Sequence, residues 1–163
     1  MATKRFRRLV KMINWYPPFW GAGIRVRNFS EDLMKWEVEL KLTWWNKNVF
    51  GTQFGGSLYA MCDPFFCFIV AEHLGKDFYV WDKAAKIEFV KPGRGKVRAI
   101  FEIPPDQLVW IKEQAAIEKK FTFWLDAEVL GEKDEVVALV KKEIYVSRKK
   151  GRARSEKSEA ASD

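Results

Sequence analysis

The sequence holds little of what cysteine- or histidine-based chemistry needs. Its 163 residues include two cysteines and one histidine. Cys62 and Cys67 lie five apart in one apolar run, on different sides of a helix. Neither a disulfide nor a metal pair is expected of them, and they read as two small buried hydrophobes. His73 stands at the end of that run, where it suits a helix terminus. Alone, it gives no basis for a histidine metal cluster or a Ser-His-Asp triad, and no metal or cofactor is expected. An uninterrupted run of about 20 apolar residues is also lacking, so no membrane-spanning helix is expected. Residues 1–11 carry Lys4, Arg5, Arg7, Arg8 and Lys11 rather than the apolar run of a secretion signal. The chain therefore reads as cytoplasmic, and the Asn28-Phe29-Ser30 glycosylation pattern carries no weight.

A hydrophobic fraction of 48% and an aromatic share of 15% fit a globular protein with a substantial core. The length suits a single domain, over residues 1–147, that buries roughly two-thirds of its unfolded surface. The net charge of +7 is uneven: residues 1–11 contribute +5 and residues 148–163 contribute +3, leaving −1 for the body. Arg148 to Arg154 would attract phosphate regardless of sequence. The neutral body and the lack of a nucleic-acid motif argue against a specific nucleic-acid partner. The tail over 148–163 has no large hydrophobe and is expected to be disordered. Within residues 1–13, Phe6, Leu9, Val10 and Ile13 have the spacing of a short basic amphipathic helix, at most a weak membrane anchor.

The stretch from Asn48 to Leu74 organises the rest. It starts as a polar loop, passes through Gly55-Gly56 and becomes apolar from Leu58 to Ala71. Apolar side chains on every side predict a buried helix. One acid, Asp63, interrupts it and is followed by Pro64. An unpaired carboxylate is expensive to bury. Two explanations stand: Asp63 and Pro64 are the N-cap and first residue of a helix that begins there, or Asp63 is functional.

Around this helix the sequence predicts strands. Ile24 to Phe29 is one. Trp36, Val38, Leu40, Leu42 and Trp44 alternate with polar residues as a second with one wet face. Phe78 to Val90 and Lys96 to Ile103 follow, joined by Lys91-Pro92-Gly93-Arg94-Gly95, whose composition suits a tight hairpin. Pro104-Pro105-Asp106 starts a helix with Leu108, Ile111 and Ala115 on one face. Phe121 to Leu130 and Glu135 to Ser147 form a last hairpin. Trp15 to Trp20 crosses two prolines and is expected to be an extended aromatic turn over an apolar opening. The order predicts an α+β domain, an antiparallel sheet curled around one long central helix.

The candidate chemistry lies at Asn48, Gly51, Thr52, Gly55, Gly56 and Asp63. Gly55 and Gly56 allow close backbone approach where a helix starts. The free amides there suit an oxygen that becomes negative during acyl transfer. Asp63, about two turns on, could activate a water.

This spacing resembles the hot-dog fold thioesterases, particularly the branch related to phenylacetyl-CoA thioesterase. In that branch His-Gly-Gly opens the central helix and an Asp follows nine positions after the His. The runs Asn14 to Pro18, Trp81 to Ala85 and Phe89 to Gly95 resemble an uncharacterised thioesterase-like branch of the same fold. The resemblance covers roughly residues 12–147. It implies an acyl-CoA or related thioester bound with its carbonyl at the Gly55 amide. Asp63 would be general base or nucleophile, with Asn48 positioning the water or the thioester. It further implies a homodimer, leaving open whether dimers pair, in which Asp63 faces Asn48 and Gly55 of the partner subunit. Gly56 and Phe54 would line the substrate site, and Asp82 falls near an assisting polar strand residue of some relatives. Lys91, Arg94 and Lys96 flank the turn and could meet coenzyme A phosphates, or simply be a solvated hairpin tip. Phe54 stands where the branch has its histidine. Loss of a donor of that kind costs on the order of 10²–10³ in rate, which keeps a non-catalytic acyl-CoA or lipid binder as the alternative.

Overall fold

A computed structural model describes Arg8 and residues 12–149. Most of the helix expected over 1–13, and the tail after Lys149, lie outside the described residues. The elements run α1 (Pro17–Ala22), β1 (Ile24–Phe29), β2 (Lys35–Leu40), α2 (Gly55–Ala60), α3 (Phe65–Leu74), β3 (Phe78–Phe89), β4 (Val97–Glu102), α4 (Pro105–Ile117), β5 (Lys120–Leu130) and β6 (Val136–Arg148). The six strands form one sheet in the order β1-β2-β4-β5-β6-β3, each antiparallel to its neighbours.

The period-two patterns place one row of each strand inward. Trp36, Val38 and Leu40 of β2 are buried, as are Val97, Ala99 and Phe101 of β4. The sheet wraps these rows around α3, whose Phe65, Phe66, Ile69 and Val70 are buried as well. Phe65 is the pivot of this core: its ring centre lies 4.9 Å from Phe101 and 5.6 Å from Trp36. Trp36 satisfies its indole N–H inside the core by donating to the Leu33 carbonyl at 2.9 Å.

Four local features differ from expectation. The central helix is interrupted: α2 ends at Ala60 and α3 begins at Phe65. Pro64 explains the break, because its ring would clash with the carbonyl four residues back, that of Ala60. Trp15 to Trp20 is partly helical, since Pro17 and Pro18 occupy the start of α1, where missing amides cost nothing. The second strand stops at Leu40 and leaves Trp44 80% exposed. Lys91 to Gly95 is no hairpin: β3 pairs with β6, whereas β4 pairs with β2 and β5. The loop is held instead by Gln53, whose backbone N–H donates to Gly93 O at 2.9 Å and whose Nε2 donates to Gly95 O at 2.8 Å.

Truncating Phe65 to alanine is expected to cost about 3–5 kcal/mol. Urea unfolding of Phe65→Ala against the native chain checks this; a loss under about 1 kcal/mol would show that α3 is not the core's centre.

Candidate active site

The site is assembled on a lysine. In β6, Val140, Lys142, Ile144 and Val146 all occupy inward positions, and each is buried. The Lys142 side chain is 0% exposed. Its Nζ donates to Asp63 Oδ1 at 3.0 Å and to the Tyr59 hydroxyl at 3.3 Å, and lies 3.2 Å from Asp82 Oδ2. Each of the three ammonium protons thus has an acceptor. The ammonium also lies 4.9 Å from the centre of the Tyr59 ring.

Four elements supply these groups. Tyr59 comes from α2 and Asp63 from the turn that Pro64 forces between α2 and α3. Asp82 comes from β3, where it pairs with Ile144 just before a register shift between Asp82 and Ala84. The shift brings Ala85 opposite Lys142, so both Asp82 and Ala85 stay on the inner side of the strand.

The two carboxylates differ. The Asp82 side chain is 19% exposed and that of Asp63 54%. Burial pushes the Asp82 carboxyl above the ordinary 3.8, an effect the neighbouring Lys142 opposes only in part. Its Oδ1 is buried without a conventional hydrogen-bond partner among the described residues, beside the Cys67 thiol. Burial draws the Lys142 ammonium toward neutrality, but the hydrogen bond it donates to Asp63 and the charge of Asp82 outweigh it and hold the pKa above 10.5. Lys142 is therefore charged. Burial raises the Cys62 thiol to about 12 and raises Cys67 further, with help from Asp82. Neither thiol is a nucleophile near neutral pH.

Asp63 opens onto a cleft of about 470 Å³, whose lining includes Met12, Trp15, Tyr16, Phe19 and Phe68. One side of the carboxylate thus rests on a buried cation while the other meets an aromatic cavity. Asp63 does not cap α3, whose N-cap position is Pro64 without a side-chain cap bond.

The other expected residues are placed as follows. Asn48 organises its own loop: Nδ2 donates to Thr52 Oγ1 at 2.9 Å and Gln53 O at 3.2 Å, while Oδ1 accepts from the amides of Phe50 and Thr52 at 2.9 and 3.1 Å. Gly55 and Gly56 open α2. A Cβ on Gly55 would lie 3.0 Å from the Phe89 ring of β3, and one on Gly56 2.5 Å from the Phe54 ring. A side chain at Gly55 would need the Phe89 ring to give by a few tenths of an ångström, and one at Gly56 would displace the exposed Phe54 ring. Lys91 and Arg94 are exposed in the loop after β3, and no ion pair joins them to another described residue. Of the expected residues, the fold joins Asp63 and Asp82 through one cation. Lys142 was not anticipated, although a lysine on the apolar row of a strand is a legible anomaly.

The fold around this cluster, one curled antiparallel sheet holding a central helix, is that of the hot-dog thioesterases. The P. aeruginosa protein PA5026, described as a probable thioesterase, superposes with a TM-score of 0.74 at 17% identity, over 91% of this chain and 97% of that one. The thioesterase HI1161 of Haemophilus influenzae gives 0.64 at 15% identity, over 90% and 92%. The E. coli PaaI protein of the phenylacetic acid degradation operon gives 0.62 at 17%, over 93% and 98%. The chain belongs to the family described as Domain of unknown function (DUF4442), whose model matches residues 3–146. Among curated proteins, none matches the chain.

The raised Asp82 carboxyl makes the stability pH-dependent. Folding favours its protonated form, so this contribution is complete below about 3.8 and is lost as pH rises through the raised value. In urea unfolding at stepped pH, Asp82→Asn is expected to gain on the native chain as pH rises from 3.8, the gap levelling off above the raised value. A gap independent of pH would show that burial does not control this group.

Proposed function

We propose that the protein hydrolyses a thioester, of which an acyl-CoA is the leading candidate, with Asp63 as general base. One observation carries the reading: the exposed carboxylate of Asp63 stands at an aromatic cleft of about 470 Å³ while Lys142 holds it from behind. The cleft suits the acyl group, since apolar walls with a single convergent polar group are the usual form of such sites. The likeness to solved thioesterases supports the same chemistry.

In this reading Asp63 takes a proton from a water as its oxygen bonds to the thioester carbon. The negative oxygen of the tetrahedral intermediate is met by the backbone amide at Gly55. Collapse breaks the C–S bond, and the proton held by Asp63 neutralises the departing thiolate. Lys142 is sealed from the substrate and acts as a positioning residue, fixing the direction of Asp63.

Assembly of two copies through β3 belongs to this reading. β3 is an edge strand of 12 residues, with Tyr79, Trp81 and Phe89 exposed. Free strand edges invite pairing, and Asp82 and the Phe89 ring against Gly55 both lie on this strand. A homodimer joined there would form the site at the seam, with Asp63 facing Gly55 of the partner subunit. A cytoplasmic setting fits such a substrate. Among the described residues no helix is long and apolar enough to cross a membrane.

Phe54, 55% exposed and folded over Gly56, favours a second reading. No imidazole is available there to polarise a carbonyl, and a protein with this cleft could bind an acyl-CoA without turning it over.

Thiol release from a panel of aliphatic and aryl acyl-CoA substrates separates the two. Hydrolysis predicts release that falls by about 10²–10⁴ in Asp63→Asn. Equal rates in both proteins would remove Asp63 from the chemistry, and acyl-CoA binding without thiol release would establish the binder.

A further inference from the structure

A second cleft lies away from Asp63. It measures about 730 Å³ and sits on the outer side of β1 and β2, beside Lys96 just ahead of β4, toward the sheet edge opposite β3. Its chemistry is unlike that of the acyl cleft. Three indoles line it, Trp20 from α1 with Trp44 and Trp45 from the chain after β2. They are 60%, 80% and 57% exposed, and the Trp44 and Trp45 rings meet edge to face at 5.7 Å. Four cations share the same walls, Arg25, Arg27, Lys41 and Lys96.

Glu39 is the sole acid of the lining, and it is already engaged by Arg27 at 2.5 Å and Lys96 at 2.9 Å. Although burial pushes its carboxyl up, those two hydrogen bonds prevail and keep it ionised. Glu39 therefore acts as a brace that aims two cations, and the five groups together carry a net charge of +3. Arg25 is braced too, donating from Nη1 to the Asn14 carbonyl at 2.7 Å. Lys41 has no anionic partner among the described residues.

From this combination we infer that the outer cleft binds a nucleoside phosphate, with the base stacked on the tryptophans and the phosphate held by Arg25, Arg27, Lys41 and Lys96. Exposed indole faces stack planar bases without regard to sequence, and guanidinium groups grip phosphate oxygens in pairs. An alkyl chain would leave the charge unanswered, and inorganic phosphate would leave the indoles unused. The ligand is either a free nucleotide or the nucleotide part of a larger carrier. The second source rests on the thioesterase reading, in which coenzyme A supplies such a group; the first does not.

The test is isothermal titration of the full chain with adenosine 3′,5′-bisphosphate, coenzyme A, adenosine and inorganic phosphate. Adenosine 3′,5′-bisphosphate is expected to bind saturably and at least tenfold tighter than adenosine or phosphate, and to weaken as salt is raised. Lys41→Ala and Trp44→Ala, both at exposed positions, are each expected to weaken it about tenfold or more, while Asp63→Asn leaves it unchanged. Equal affinity for coenzyme A identifies the nucleotide as the whole determinant. Coenzyme A binding more than tenfold tighter identifies the carrier as the source. Absence of saturable binding by either, or binding untouched by both cleft variants, overturns the inference. So does retention on phosphatidylserine vesicles that the nucleotides fail to compete, which would assign the cleft to a lipid surface. Because the readout is binding, failure of thioester hydrolysis would leave the result standing.

Discussion

A lysine ammonium sealed from water fixes the geometry of this protein's centre. An isolated buried charge is costly, and removing one partner from a buried pair typically costs about 3–5 kcal/mol. Lys142 meets that cost with three acceptors drawn from α2, the turn after it and β3. The turn has no ladder of its own to orient side chains, because Pro64 has broken the helix there. What aims Asp63 is therefore the cation beneath it. The same contact ties the edge strand β3 to the helical layer at Asp82.

The two carboxylates on that cation occupy different surroundings and have different consequences. Asp82 is largely enclosed, sits beside a thiol and is driven toward its protonated form. Asp63 is open on one side to an aromatic cavity. Environment alone thus separates a carboxyl enclosed on Lys142 from one that shares the same ammonium but stays open to the cleft. The thiols of buried Cys62 and half-buried Cys67 are both held in the protonated state by desolvation.

Much of the fold was legible in the sequence because its strands obey a period of two. The alternation at Trp36, Val38 and Leu40 and the hairpin of β5 and β6 follow from one wet and one dry side. The pairing of strands was less accessible. Gly93 and Gly95 suit any sharp turn, and nothing local says that β4 leaves β3 for the far side of β5. Two proline effects were also hidden, for Pro17 and Pro18 begin a helix whereas Pro64 breaks one, and the outcome depends on which amides are free. At the site, Asp63 stood out as an acid in an apolar run and Asp82 only by resemblance. The hydrophobic pattern of β6 hides Lys142, since a cation in that row has meaning only against acids 60 and 79 positions away in the chain. Asn48 had the right spacing for a substrate contact, yet all its hydrogen-bonding capacity serves its own loop.

The short helix α1 stands between the two clefts: Tyr16, Pro17 and Phe19 line one, and Trp20 and Gly21 the other. It is fastened at both ends. Asn14, just ahead of it, bonds both backbone groups of Val26 at 2.7 and 3.0 Å. At its far end Asn46 donates to the Ala22 carbonyl at 2.8 Å, and Gly23 follows at a φ of 82° with Asn46 so near that no side chain fits. Because one helix walls both clefts, any shift of α1 that widened one would narrow the other, and the anchors at its two ends oppose such a shift.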